Sequence, residues 1–493
     1  MNRYDVRRQT KDRKRLWLSA AGNGAHAHPL ADEALSAALR LRTAEIETAF
    51  AAIEPALRAV GPMQYEDGFM QRAHDYLSSA LGIDLPPSDF HATWSTPLDV
   101  RSLYGHSVLA VFCRLVERAF DRTLARTSDG EDAEALIRRW GFHAVDITPC
   151  ADGRLSGVVD YILRIPPSVV TARKSYAGAM FDVEEAMRRW ESVELGRFRE
   201  GKPNAATAPT RYLKIGVYHF SSAAPATEGC AAHGHDQRRA AADVLERLEQ
   251  FEAAVKNVHG CDACTATLLV GVDTDTDAIR VHVPDAQGRT SVDRAVDAAA
   301  IYDSVRGLTR AAAKDYIRDE VAACAGVAAD DEATEGMRWF CGYLLKNNVG
   351  QVDAVRAWHG GPYADRGHTE RLIVIGDPLD DVQLRNLVFQ AQMDSVEEGA
   401  ETLDIGVRIL RGLHEPECLP VPILAHVRYD DRIPGARERA ERRALRLRDA
   451  VLERYHHLAA AGMLHVHAVV RGGDGAAIAV VGTQPAAAAE AVA

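Results

Sequence analysis

The 493 residues exceed what one core ordinarily organises, so two to four domains are expected. With 47% hydrophobic and 26% charged residues the composition is that of a soluble globular chain, and no run of about 18 apolar residues is present to span a bilayer. A net charge of -12 speaks against wholesale nucleic-acid binding, and eight cysteines are too sparse for a disulfide framework.

The chain opens on MNRYDVRRQTKDRKR, with seven Lys/Arg against two Asp, followed by the Gly/Ala/His-rich AAGNGAHAHP. Residues 1–30 therefore read as a disordered basic arm. The apolar patch from Leu16 to Leu18 is too short for a secretory signal, which points to the cytosol and to cysteines kept as thiols. Order is expected to begin near Asp32, placed to cap ADEALSAALRLRTAEIETAFAAIEPALRAVG. Val108, Val111, Phe112, Leu115 and Phe120 then recur at spacings that share a helix face. Residues 31–145 are expected to form an all-helical domain.

The pattern changes at HAVDITPCADGRLSGVVDYILRIP, where a short apolar strand runs into Pro149, turns through Asp152 and Gly153, and resumes as an amphipathic segment. The strands RYLKIGVYHF, TATLLVGVD and AIRVHVP follow, with helical stretches around residues 172–198, 236–257, 308–325 and 333–347. Strands alternating with helices predict an α/β domain over 146–370, with a largely parallel sheet and a ligand site beyond the strand carboxyl ends. From RLIVIGDPLDD onward a shorter α/β pattern occupies 371–493: a helical stretch at 381–397, the strand VPILAHVRY, an Arg-rich helix at 436–460, the strands LHVHAVV and AIAVV, and a low-complexity tail. RLIVIGDPLDD stands where VDITPCADGR stands in the preceding domain, and VPILAHVRYDD resembles LKIGVYHFSS. This region reads as a degenerate repeat, and with no cysteine in the matching turn it is expected to be metal-free.

Catalytic zinc uses three protein ligands and keeps one position open. Cys150 follows a strand and a proline at the expected sheet edge, His219 ends RYLKIGVYHF on the face of Leu213, Ile215 and Val217, and Cys230 lies eleven residues on in EGCAAHG. A lone histidine on a strand is more often a satisfied core residue than a ligand. Cys230, able to fold back toward it, shifts the balance. Cys261 and Cys264 in HGCDAC have zinc-knuckle spacing but no second CxxC pair, and they read as buried or incidental thiols. His233, His235, His259, His359, His368, His456, His457, His465 and His467 read as surface or satisfied histidines. His465 and His467 share a strand face with nothing else nearby in sequence to complete a site.

Cys150-Ala-Asp152-Gly-Arg154 resembles the CxDxR motif of beta-class carbonic anhydrases, in which the cysteine binds zinc and the aspartate and arginine pair beside it. In that class the remaining ligands form His-x-x-Cys, whereas ten residues separate His219 from Cys230 here. The longer insertion, with HAVDITPCADGRLSGVVDYILR, YHFSSAAPATEGCAAHG and ERLIVIGDP, resembles the carboxysome shell carbonic anhydrases, sometimes called the epsilon class, over about residues 32–485. The resemblance implies a helical domain, a catalytic domain and a decayed copy without zinc. It implies one Zn2+ per chain on Cys150, His219 and Cys230, with Asp152 accepting a hydrogen bond from the reacting water and Arg154 restraining Asp152. It further implies interconversion of carbon dioxide and bicarbonate on the inner side of a carboxysome shell in the bacterial cytoplasm, supply of carbon dioxide to Rubisco, and a homodimer at least. The basic arm is expected to address Rubisco or shell proteins, with neither nucleic acid nor membrane as partner. Two other readings stay open: a non-catalytic shell or scaffold protein with structural zinc, and another zinc hydrolase.

Overall fold

Asp32 accepts the Leu35 N–H and so caps the first of four amino-terminal helices among the described residues, satisfying one of the amides a helix start leaves unpaired. The computed structural model describes residues 28–85, 98–118, 132–202, 210–260, 264–329, 335–379, 382, 384–473 and 476–483. Phe120, Cys261, the basic arm through residue 27 and the tail from residue 484 lie outside them. The helices are α1 (Glu33–Ala51), α2 (Ile53–Met63), α3 (Phe69–Leu81) and α4 (Val100–Arg118). Val108, Val111, Phe112 and Leu115 of α4 are buried in one core with Leu57, Val60 and Leu77, as their spacing requires.

The first sheet has the strand order β2-β1-β3-β4-β5-β6. Strands β1 (Phe142–Pro149), β2 (Val170–Arg173), β3 (Arg211–Phe220) and β4 (Thr265–Asp273) are parallel, and β5 (Ile279–His282) and β6 (Val296–Asp297) close the sheet antiparallel. β1 and β3 are almost wholly buried, the run expected of central parallel strands covered on both faces. Burial there includes a charged pair. Lys214 Nζ donates to Asp146 at 2.8 Å and to Thr148 at 2.7 Å, while Tyr212 donates to the same carboxylate at 2.7 Å. Each charge is thus paired and hydrogen-bonded, the condition under which an ion pair survives out of water.

Four expectations need correction. The segment after Gly153 is not amphipathic: Val158–Leu163 is a π-helical turn with every residue buried, and its Asp160 accepts from Arg42 at 2.8 Å. The helix expected over 172–198 is split, with the β-branched Val170 and Thr171 opening edge strand β2 and the helix itself spanning Val183–Arg199. The helical stretch expected at 381–397 contains strand β8 (Val388–Gln392), because pairing with β7 (Leu372–Gly376) decides its conformation where local pattern does not. The helix expected at 333–347 runs on, over Glu335–His359.

The second sheet has the order β11-β10-β9-β7-β8, with β9 (Val421–Arg428), β10 (Leu464–Arg471) and β11 (Ile478–Thr483). β8-β7-β9-β10 are parallel and β11 is antiparallel. Taken from the β8 edge, that is the topology of β2-β1-β3-β4-β5 strand for strand, so the repeat that sequence identity barely carries is plain in the connectivity. Alternation assigns the two faces of this sheet. Leu372, Val374, Leu424 and Val469 join the core of the helical domain, whereas Ile373, Ile375, Val466 and Val470 pack with Leu447 and Val451 of the helix Ala436–Arg454. Among the described residues no helix is long and apolar enough to cross a membrane.

The second sheet also holds the turn that follows β1. Ala151 is part of its core, Asn386 N–H donates to Gly153 O at 2.8 Å, and Ser175 N–H donates to the Gln392 side chain at 2.9 Å. A chain ending near residue 370 would lose these contacts and bare an apolar face of the helical core. It is expected to be insoluble on expression, as assayed by partition after lysis; a soluble and fully active fragment would contradict this.

Candidate metal centre

Cys150 is the first residue past β1, and its N–H still donates to Val217 O at 3.0 Å while Ala151 N–H donates to Tyr176 O at 2.9 Å. The thiol is thereby fixed at the carboxyl edge of the sheet, where open α/β sheets place their ligands. His219 lies on the adjacent strand β3. Cys230 precedes a short helical turn, Ala231–His233, and its carbonyl accepts from His233 N at 3.1 Å and His235 N at 2.9 Å. His233 anchors that turn by a 3.0 Å contact of Nδ1 with Asp243 and a 3.2 Å contact of Nε2 with Gly178 O. Gly178 has φ 65°, and a Cβ there would lie 2.4 Å from His233 Nε2. Glycine alone gives both the conformation and the space. Its N–H donates to Cys150 Sγ at 3.2 Å.

The donor atoms of Cys150, His219 and Cys230 all lie within 4.8 Å of one another, and the three residues are buried. The two sulfurs are 4.0 Å apart, close to the roughly 3.8 Å between two thiolates on a tetrahedral zinc ion with bonds of about 2.3 Å. Neither buried ring nitrogen of His219 makes a well-aligned hydrogen bond among the described residues, although Asp152 Oδ2 approaches Nε2 to 3.1 Å. A buried imidazole left so is costly, and a cation among these donors answers the need. The residues present therefore fit a metal ion. The contact with Cys230, and then burial, holds the Cys150 thiol well above its ordinary range. Burial pulls His219 down, but Asp152 and Cys150 outweigh it and push the imidazole up to about 9. The contact with Cys150 holds the Cys230 thiol below its ordinary range, but Cys150 and His219 must release their protons to a metal, so binding strengthens as pH rises.

Asp152 and Arg154 stand beside this group. Arg154 donates to Asp152 through Nε at 2.9 Å and Nη2 at 2.7 Å, a bidentate contact, and its backbone N–H adds a third bond at 2.9 Å. Burial opposes ionisation of Asp152, but Arg154 and then His219 hold its carboxyl well below the usual carboxylate range. Asp152 Oδ2 is 3.1 Å from His219 Nε2. The guanidinium is only 1% exposed and donates further to Glu228 O at 3.0 Å and Arg366 O at 3.4 Å. This is no surface ion pair.

The family model described as Carboxysome Shell Carbonic Anhydrase, catalytic domain, matches residues 132–368, and the N-terminal and C-terminal models of the same description match 28–120 and 369–484. The chain belongs to the carboxysome shell carbonic anhydrase family. It is 40% identical to a carboxysome shell carbonic anhydrase of Prochlorococcus marinus strain MIT 9313 over 94% of this chain and 90% of that protein. It is likewise 40% identical to one from Halothiobacillus neapolitanus over 91% of this chain and 88% of that protein, and 41% identical to one from Parasynechococcus marenigrum strain WH8102 over 90% and 76%.

In this member of the carboxysome shell carbonic anhydrase family the structure brings all five residues singled out in the sequence into one place. It adds others that sequence reasoning missed. Glu370 accepts the Gly153 N–H at 3.2 Å and lies 2.8 Å from His368 Nδ1, so His368, half-buried, faces the Asp152 carboxylate across Glu370 and is not an ordinary surface histidine. Asp152, His368 and Glu370 also cluster, but Arg154 already takes both oxygens of Asp152. No local pattern could have announced contacts spanning some two hundred residues. Cys264 needs a correction of a different kind: it is disulfide-bonded, not a thiol.

Replacing Cys150 by Ala, His219 by Ala or Cys230 by Ser is expected to lower bound zinc by about one ion per chain relative to the parent and to abolish hydration, because no pair of the remaining donors closes this site. Cys264→Ser is expected to keep the ion. Metal analysis of the purified variants beside the parent decides, and a zinc content undiminished from the parent's in the His219 variant would remove that residue from the ligand set.

Proposed function

We propose that this chain is a zinc-dependent carbonic anhydrase that interconverts carbon dioxide and bicarbonate within a carboxysome, on the inner side of its shell, and supplies carbon dioxide to Rubisco. The observation that carries the reading is the convergence of Cys150, His219 and Cys230 beside a carboxylate already claimed by Arg154, in a chain of this family. Those three residues would hold the ion. When bound, zinc supplies a Lewis acid that makes water a nucleophile near neutral pH.

The rest of the chemistry falls to the protein. Asp152 is held ionised, so it acts as a pure acceptor, and it can take a hydrogen bond from the reacting water and fix its orientation toward carbon dioxide. Arg154 grips both carboxylate oxygens and prevents Asp152 from turning to become a ligand itself. The competing reading, a scaffold with structural zinc, requires a closed set of four ligands. The donor group at Cys150 comprises three side chains among the described residues, which favours an enzyme.

Arg154→Ala is expected to retain zinc while kcat/KM for carbon dioxide hydration falls about 10–100-fold, the range found when a group that orients a metal site is lost. Stopped-flow hydration measured alongside metal analysis tests it. Unchanged turnover would take the Asp152/Arg154 pair out of the mechanism, and no hydration by the zinc-loaded parent chain would refute the function itself.

We further infer a homodimer or larger assembly, and an arm, Arg3 to Arg15, that docks on an acidic surface of Rubisco or a shell protein. The arm's seven basic residues contrast with an overall charge of -12. Exposed pairing of this kind is screened within about 8 Å at physiological ionic strength. Removing residues 1–30 is therefore expected to leave hydration in solution unchanged and to abolish co-sedimentation with Rubisco at low salt. Equally tight binding by the truncated chain would move the address into the folded domains.

A further inference from the structure

β10 carries His465 and His467 on the face that also bears Val469, the face turned toward the helical domain. Helix α4 crosses that face and brings His106 to them from a position some 360 residues earlier in the chain. All three imidazoles are buried, at 3%, 4% and 5% exposure. We propose that His106, His465 and His467 form a second metal site, a three-imidazole set for zinc or another late first-row divalent ion, which ties the helical domain to the carboxyl-terminal sheet.

The geometry is that of a ligand set. One nitrogen from each ring lies within 4.8 Å of the others. His465 Nε2 and His467 Nδ1 are 3.2 Å apart, and two nitrogens on a tetrahedral zinc ion with bonds of about 2.05 Å lie about 3.3 Å apart. His106 meets the other two rings edge-on, at interplanar angles of 63° and 83°. Lone pairs lie in the ring plane, so rings set on edge can converge on one point where stacked rings cannot. The backbone makes room for this arrangement. A Cβ on Gly105 would stand 2.3 Å from His465 Cγ, so the helix passes the His465 ring only because residue 105 is glycine.

The donors also select the ion. Magnesium and calcium take oxygen ligands, whereas imidazole suits zinc, copper, nickel and cobalt. The plain alternative is a trio of core histidines that includes the 3.2 Å His465–His467 contact. In that case three polar rings occupy an apolar seam in which Leu103, Val108, Leu424 and Val469 are buried, a placement that apolar residues of similar size would fill at lower desolvation cost. Coordination gives the three converging nitrogens one shared centre and bridges α4 to β10.

The test uses the full chain, saturated with zinc and dialysed into metal-free buffer. About two ions per chain are expected in the parent protein, and about one in His465→Gln and in Cys230→Ser. The His465 variant should retain carbon dioxide hydration and the Cys230 variant should lose it. Cobalt loading gives an independent readout: the ion left in Cys230→Ser should show visible absorption without the thiolate-to-cobalt charge-transfer band that the ion left in His465→Gln displays. One ion in the saturated parent chain overturns the proposal, and so do two ions retained in His465→Gln. If His465→Gln fails to fold, His106→Gln takes its place, and the stoichiometry of the parent chain still decides.

Discussion

A carboxylate within 3.1 Å of the His219 ring, with two thiols in the same cluster, is itself a metal ligand unless another charge claims it. Arg154 makes that claim, and much of the molecule is arranged around it. A guanidinium at 1% exposure is tolerable only with its donors satisfied, so Arg154 draws on the Glu228 and Arg366 carbonyls as well as on Asp152. Those carbonyls lie on separate segments, one leading into the Cys230 turn and the other leading out of the catalytic sheet toward β7. The dyad therefore fixes the distance between the two cysteine-bearing turns, and it depends on the second sheet being in place.

The second sheet repeats the first strand for strand and puts the repetition to another use. Where β1 runs out into Cys150, β7 runs out into Asp377, which accepts from the Arg428 N–H at 2.7 Å and from Arg443 at 2.9 Å. The turn is closed by a carboxylate and two arginines of its own domain, with no thiol. Its neighbouring strand β8 then lends the copy's contribution to the first sheet, through Gln392 onto Ser175, while Asn386 just ahead of it donates to Gly153. Burial of one sheet against the other's reactive turn is a structural role that the connectivity explains and that the decayed sequence does not.

What could be read in the sequence follows the same division. Cys150, His219 and Cys230 were legible because each sits at the end of an apolar strand or in a small-residue turn, whereas Asp152 and Arg154 stood out only through the resemblance of Cys150-Ala-Asp152-Gly-Arg154 to the CxDxR motif. The strand repeat was legible at β7 and β9, whose apolar runs are long. β2 and β8 were not, since each is short and is made a strand by its neighbour more than by its own pattern. The π-helical turn Val158–Leu163 reads as amphipathic because Asp160 is charged, yet Arg42 of α1 reaches it and carries it into the interior. Glu370 beside Gly153 and His106 beside His465 were beyond reach for the same reason. Contacts across hundreds of residues leave no periodicity.

The two histidine-containing clusters differ in charge, and the difference orders them. Two thiolates and an imidazole neutralise a divalent ion, so a loaded Cys150–His219–Cys230 group carries no net charge into the interior. Three imidazoles leave the full double charge of the ion in a seam of leucine and valine, and desolvating an uncompensated charge costs several kcal/mol even after relaxation. An ion at His106, His465 and His467 is therefore held less tightly than one at the cysteines, unless an anion joins it. The neutral set has the opposite consequence for reactivity: with its charge cancelled, the ion polarises water less than a three-imidazole centre does. A rigid, fully ionised acceptor such as Asp152 is then most useful where the metal's own field is weakest, which is where the structure places it.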